Sequence, residues 1–137
     1  MNNVFLSISL KFLSPLIFLS SIYVLLKGHN EPGGGFIGGL LAALSWTLVK
    51  LGSRPKHSER EVFKENFYIM GIGLSISMFS GIYAVFFDKP LFTAFWGPGI
   101  NVPILGALNL STVLFFDLGV YIVVLFASIK MLRSFMD

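Results

Sequence analysis

The chain has 137 residues, of which 55% are hydrophobic and 12% are charged, against roughly 45–50% and about 25% in an average soluble domain. This imbalance predicts an integral membrane protein. The formal net charge of +3 does not indicate a nucleic-acid partner, because the basic residues gather in one short segment, and the absence of cysteine excludes disulfides and thiolate metal sites.

The first apolar run covers residues 12–26 and carries no charge. As a helix it is about 22 Å long, less than the roughly 30 Å of a bilayer's hydrocarbon core. Lys11 and Lys27 bracket the run, and both can extend their ammonium groups toward the headgroups. We therefore predict a spanning helix over residues 9–28, with the preceding residues at the interface. No cleavable signal peptide is expected, because residues 1–10 carry no basic side chain.

The second run, residues 36–49, is shorter still, and the predicted helix over 36–52 extends past Lys50. Between the two helices lies the segment 28–39, which reads GHNEPGGGFIGG. Two short spans draw their connection toward membrane depth, where irregular backbone is tolerated only if protein covers it or it lines a wet cavity. We expect a glycine-rich turn clasped by neighbouring helices, including those of partner subunits. Gly38 and Gly39 each precede an alanine by four residues. This spacing predicts a helix face of small residues that a second helix can approach closely.

Residues 50–66 are strongly polar, with five basic and three acidic side chains. The loop over residues 53–66 is interpreted as a solvated connector. If the chain spans four times, this loop and both termini share one side of the membrane. That side carries eight of the ten Lys and Arg residues, whereas Lys27 and Lys89 lie on the other. The positive-inside rule therefore predicts cytoplasmic N- and C-termini.

The third predicted helix, residues 67–87, is long enough to span a bilayer. Gly73, Ser77 and Gly81 recur at every fourth position and predict a strip for close helix packing. We interpret this strip as a contact between subunits, with a polar strip beside an ion path as the alternative. The outer loop over residues 88–110 contains three prolines, which argue against a further spanning helix and favour a short re-entrant or surface-lying stretch.

The last predicted helix, residues 111–132, contains Asp117. A carboxylate inside a membrane helix costs on the order of 3 kcal/mol, so it is a functional candidate that should face protein or water. Tyr121 lies one turn on, on the same face, and can hold or orient its proton. The alternative is an aspartate that caps the helix start or pairs with a buried group of another subunit. His29 can titrate near neutral pH, although a loop histidine can equally be a solvated side chain.

Two strings resemble a known family. Residues 26–40, which include GHN and PGGGFIGG, closely resemble the signature of the MnhB subunit of Mrp-type (Mnh) Na+/H+ antiporters, and residues 115–124, FFDLGVYIVV, resemble that family's last-helix motif. The resemblance covers nearly the whole chain and implies a single MnhB-like membrane domain over residues 1–137. The fold is expected to be all-α, an integral membrane protein with four transmembrane helices and a Gly-rich turn between the first two. The family is also similar to domains of membrane-bound hydrogenases.

The resemblance implies a small subunit of a hetero-oligomeric antiporter in the cell membrane, which exchanges cytoplasmic Na+ or a related monovalent cation for external protons. Its expected partners are other membrane subunits and lipid, and it needs no cofactor beyond the transported Na+ and H+. The positions that match the first motif are Pro32, Gly33, Gly34, Gly35, Phe36, Gly38 and Gly39; those that match the second are Asp117, Gly119 and Tyr121. Glu31 precedes the proline, at a position the family pattern does not fix to a carboxylate, and can be an incidental solvated charge.

The residues themselves leave several functions open. A monovalent cation needs oxygen ligands, which backbone carbonyls near residues 32–35 and the Asp117 carboxylate could supply. The ion-path candidates are accordingly Asp117, Tyr121, Glu31 and His29. The alternatives are a scaffold subunit of the antiporter or of a hydrogenase-like pump, and a homo-oligomeric small channel or carrier. An enzyme is not expected, because the sequence contains no nucleophile–base set and no phosphate loop.

Overall fold

The structure is a computed structural model that describes residues 4–28, 34–52, 66–103 and 106–136. Within these ranges lie four α-helices: α1 (Val4–Lys27), α2 (Gly34–Gly52), α3 (Asn66–Ile82) and α4 (Thr112–Met136). A 3-10 helix, Tyr83–Phe87, continues α3. Each helix is long and apolar enough to cross a membrane, α3 together with its 3-10 extension. The predicted all-α fold with four spans is therefore confirmed.

When α3 is taken together with its 3-10 extension, three helix ends differ from the predicted ones by two residues or more. α1 begins at Val4 rather than at residue 9, α2 begins at Gly34 rather than at 36, and α4 continues to Met136 rather than ending at 132. With 24 residues, α1 is about 36 Å long and is not the under-length span that its apolar run suggests. The reason is that lysine and serine are compatible with a helix. Lys11 and the serines near it end the uncharged apolar run, but they do not interrupt the backbone hydrogen bonds of the helix.

The helices lie side by side in the order α1, α2, α4, α3, each packed on the next. Within the described residues, α3 makes no comparable contact with α1 or α2. The core lies where α1, α2 and α4 meet, with Leu25, Ala42 and Tyr121 buried and Ile122 and Leu125 packed on them. Many large apolar side chains face outward, as expected for a single layer of helices surrounded by lipid or by other membrane proteins.

Small residues spaced seven apart join α1 to α2. The α1 members are Ser7, Ser14 and Ser21, and their counterparts on the antiparallel α2 are Gly52, Ser45 and Gly38. Ser14 and Ser45 each donate a hydrogen bond to the other's backbone carbonyl, at 3.0 and 2.9 Å. A seven-residue repeat keeps the same helix face on its neighbour, and small residues let two backbones approach closely in lipid. This seam is not among the sequence-based predictions, although the even spacing of the α1 serines is a visible signal for it.

The loop between α3 and α4 contains a β-hairpin, formed by β1 (Trp96–Val102) and β2 (Gly106–Ser111). Its register is irregular between Trp96 and Gly99, next to Pro98, which has no N–H to donate to the other strand. The sequence does not predict these strands, because glycine and proline obscure any apolar–polar alternation there. The described part of this loop contains no further spanning helix, as its prolines indicate.

Candidate functional site

Asp117 lies in the second turn of α4 and is only 9% exposed. Its backbone touches the first turn of α2, so that a Cβ atom built on Gly35 would lie 2.3 Å from the Asp117 carbonyl oxygen. The first turn of a helix carries N–H groups without intrahelical partners and a partial positive charge. Asp117 is thus a buried carboxylate-bearing residue placed beside the positive end of a second spanning helix.

Two pairs of adjacent glycines, Gly34–Gly35 and Gly38–Gly39, make this contact possible. Gly34 and Gly38 face α1, where their Cβ atoms would meet the backbone of Gly28 at 2.4 Å and that of Ser21 at 2.9 Å. The remaining two, Gly35 and Gly39, face α4, where their Cβ atoms would meet the carbonyl oxygens of Asp117 and Tyr121. Neighbouring residues of a helix point about 100° apart. A pair of adjacent glycines that recurs four residues later therefore produces two stripes without side chains along the helix surface. The first half of α2 therefore fits tightly between two helices at once.

Phe36 directly follows Gly35 on α2 and is 53% exposed. The motif thus combines four buried glycines with one exposed aromatic side chain.

Tyr121 connects α4 to α1. Its ring lies over Gly38, where a Cβ atom would come within 3.2 Å of the ring, and its hydroxyl oxygen lies 3.2 Å from Ser21 Oγ. Ser21 has one hydroxyl hydrogen and donates it to the Phe18 carbonyl at 2.6 Å. The Tyr121 phenol therefore donates to Ser21 Oγ. The sequence predicts that Tyr121 holds or orients the proton of Asp117, whereas the structure gives its hydroxyl this different partner.

The small-residue strip of α3 divides between two contacts. Gly73 and Ser77 pack on α4 at Gly119, where a Cβ atom would lie 2.2 Å from Ser77 Oγ and 2.5 Å from the Gly73 carbonyl oxygen. Ser77 Oγ also donates to the Phe116 carbonyl at 3.1 Å. By contrast, Gly81 lies under the ring of a loop phenylalanine, Phe92. The strip is predicted from the sequence to be a contact between subunits, whereas in the structure its first two members face α4 of the same chain.

Four of the predicted site positions lie outside the described residues: His29, Glu31, Pro32 and Gly33. The described part brings together Asp117, Tyr121 and the paired glycines of α2 at one end of the helix layer. It adds Ser21, which the sequence does not single out. Carboxylate, phenol and hydroxyl oxygens are groups that can bind a proton or a hard monovalent cation.

Comparison with known proteins gives consistent similarities. Residues 5–130 match the family described as a domain related to the MnhB subunit of Na+/H+ antiporter. The chain is 37% identical over 134 residues to the B-type subunit of the Na+/H+ antiporter of Bacillus subtilis (strain 168), covering 97% of this chain and 92% of that protein. It is 35% identical over 124 residues to the corresponding antiporter subunit of Alkalihalophilus pseudofirmus, covering 90% and 85%. A putative antiporter subunit mnhB2 of Staphylococcus aureus (strain Newman) is 33% identical over 119 residues, covering 87% and 84%.

Proposed function

The chain belongs to the family of MnhB-related subunits of Na+/H+ antiporters, and from this we propose that it is a small membrane subunit of a multisubunit antiporter. The complex would exchange Na+, or a related monovalent cation, for protons across the cell membrane. Two relatives that align along most of the chain are named as B-type subunits of a Na+/H+ antiporter. The proposed role is that of a transporter subunit rather than of an enzyme.

The arrangement of the helices supports a role within a larger assembly. In the described residues α1 packs mainly on α2 and α3 mainly on α4, and many large apolar side chains remain exposed. A water-filled ion path beside these helices would need further helices to enclose it, which other chains can supply. This observation favours a subunit of a hetero-oligomer over a self-sufficient carrier.

Affinity purification of the tagged chain from native membranes tests this proposal. We expect several larger membrane subunits to co-purify in constant ratio, and cells that lack the chain to lose Na+/H+ exchange. A solitary homo-oligomer that transports Na+ on its own in liposomes would contradict the proposal and favour a small carrier.

Within that complex, we propose that Asp117 lies on the cation path. The support is its burial in a spanning helix, where a carboxylate is costly and marks a functional site by default, and its position beside the first turn of α2. The partial positive charge of that turn favours a negative charge nearby, which a passing cation can neutralise. A scaffold subunit that touches no ion is the competing role, and replacement of this carboxylate separates the two roles.

We further propose that both termini face the cytoplasm. Lys50 and Lys130 lie at the same end of the layer, over the rings of Trp46 and Phe67, whereas Lys27 lies over Tyr23 at the other end. Because the chain has no cysteine, an introduced one is unique. A membrane-impermeant maleimide added to intact cells should label Lys89→Cys, and it should label Ser134→Cys only after permeabilisation. The opposite pattern would reverse the proposed orientation.

A further inference from the structure

Ser21 of α1 has no exposed surface and lies beside Tyr121 of α4, which is 9% exposed. The Ser21 hydroxyl donates to the Phe18 carbonyl oxygen at 2.6 Å, and the hydroxyl oxygens of Ser21 and Tyr121 are 3.2 Å apart. Because Ser21 has only one hydroxyl hydrogen, it accepts here and the phenol donates. Ser21 is therefore the hydrogen-bond acceptor of a buried phenol on another helix.

The Tyr121 phenol has a second direction open to it. Asp117 lies one turn earlier on α4, and residues four apart are neighbours on a helix surface, with about 5–6 Å between their Cβ atoms. Long side chains in a helix also lean toward its N-terminus, over the preceding turn. A phenol at this position can thus donate along α4 toward Asp117 or across to α1. In the structure it donates across to α1.

Two features of the neighbouring helices hold the phenol in this direction. Gly38 of α2 leaves room for the ring, since a Cβ atom there would come within 3.2 Å of it. Ser21 supplies an acceptor whose orientation is fixed by its own hydrogen bond to Phe18. The glycine accommodates the ring, whereas the serine selects the direction of the hydroxyl.

The hydrogen bond that Ser21 accepts is weaker than the one that a carboxylate would accept. Its oxygen–oxygen distance of 3.2 Å exceeds the roughly 2.7–2.8 Å that is most common between such oxygens, and its acceptor is neutral. A hydroxyl that donates to a carboxylate forms a bond about twice as strong. Without the Ser21 oxygen, the buried phenol would be left unsatisfied at a cost, which turning toward Asp117 would relieve.

We propose that Ser21 is a positioning residue for the cation path, because it directs the Tyr121 phenol away from Asp117. The phenol then does not compete with a passing cation for the carboxylate. A phenol that donated to the carboxylate would stabilise its negative charge, and a cation would have to displace that hydrogen bond. This role of Ser21 rests on the proposed transport role of Asp117.

The Na+ dependence of exchange in everted membrane vesicles tests this role, with rates normalised to the amount of assembled complex. Ser21→Ala should raise the Na+ concentration for half-maximal exchange about fivefold and change the maximal rate less than about twofold, because a competing hydrogen bond weakens cation binding. Adding Tyr121→Phe to Ser21→Ala should return the half-maximal concentration to within about twofold of the parent value, since no phenol is left to donate.

Ser20→Ala is the matched control. Ser20 is exposed and donates to the Leu16 carbonyl oxygen of its own helix at 2.9 Å, so its replacement should leave the Na+ dependence unchanged. A parent-like half-maximal concentration in Ser21→Ala would overturn the proposal. So would a double variant as impaired as Ser21→Ala, or loss of assembled complex in Ser21→Ala, because either result would give the Ser21 hydroxyl a purely structural role.

Asp117→Asn separates the role of Ser21 from that of Asp117. If this variant keeps full exchange, both roles fail. If it loses exchange while Ser21→Ala keeps the Na+ dependence of the parent, only the role of Ser21 fails.

Discussion

Asp117→Asn is expected to lower Na+/H+ exchange about tenfold or more, which corresponds to at least about 1.4 kcal/mol in the rate-limiting barrier. Asparagine keeps the size and one carbonyl oxygen of the side chain but removes the negative charge. A cation that passes position 117 would then have no carboxylate to neutralise its charge in surroundings of low dielectric constant. The measurement is Na+-dependent proton movement in everted membrane vesicles, normalised to the amount of assembled complex.

Asp88→Asn is the matched control for this substitution. Asp88 is exposed and has a φ of 54°, a left-handed conformation that asparagine also adopts readily. The Asp88→Asn variant should therefore fold normally and leave Na+/H+ exchange unchanged. Full exchange by Asp117→Asn in an intact complex would assign this chain a scaffold role and remove Asp117 from the ion path.

Gly35→Ala is expected to reduce the amount of folded, assembled complex severely. Its new methyl group would lie 2.3 Å from the carbonyl oxygen of Asp117 and 2.9 Å from that residue's Cα. Because both atoms belong to the backbone, no side-chain rotation relieves the clash, and α2 and α4 must move apart. Overpacking of this kind typically costs about 1–3 kcal/mol, and here it would also displace Asp117 from the first turn of α2.

The amount of complex on native gels and its resistance to detergent denaturation measure this effect. Gly71→Ala is the control, because a Cβ atom there would have nothing within 4 Å. It replaces a helical glycine with a better helix former and should leave assembly intact. Equal assembly of both variants would mean that α2 and α4 are not in close contact in the assembled protein.

The four spans and their approximate positions could be predicted from the sequence because a bilayer demands a minimum length of apolar helix. The predicted α1 is too short, since its length rests on the uncharged run between Lys11 and Lys27 rather than on the continuous helix from Val4. The hairpin could not be predicted because its strands are interrupted by residues that usually mark turns.

The sequence alone thus determined the membrane class, the number of spans, the buried carboxylate at Asp117 and the presence of helix faces made of small residues. Only the tertiary structure decided which face meets which helix: Gly34 and Gly38 face α1, Gly35 and Gly39 face α4, and Gly81 lies under a loop residue. It also gave the Tyr121 hydroxyl a partner on α1. The physical reason is that periodicity specifies the faces of one helix, whereas the choice among neighbours depends on how all the helices pack together.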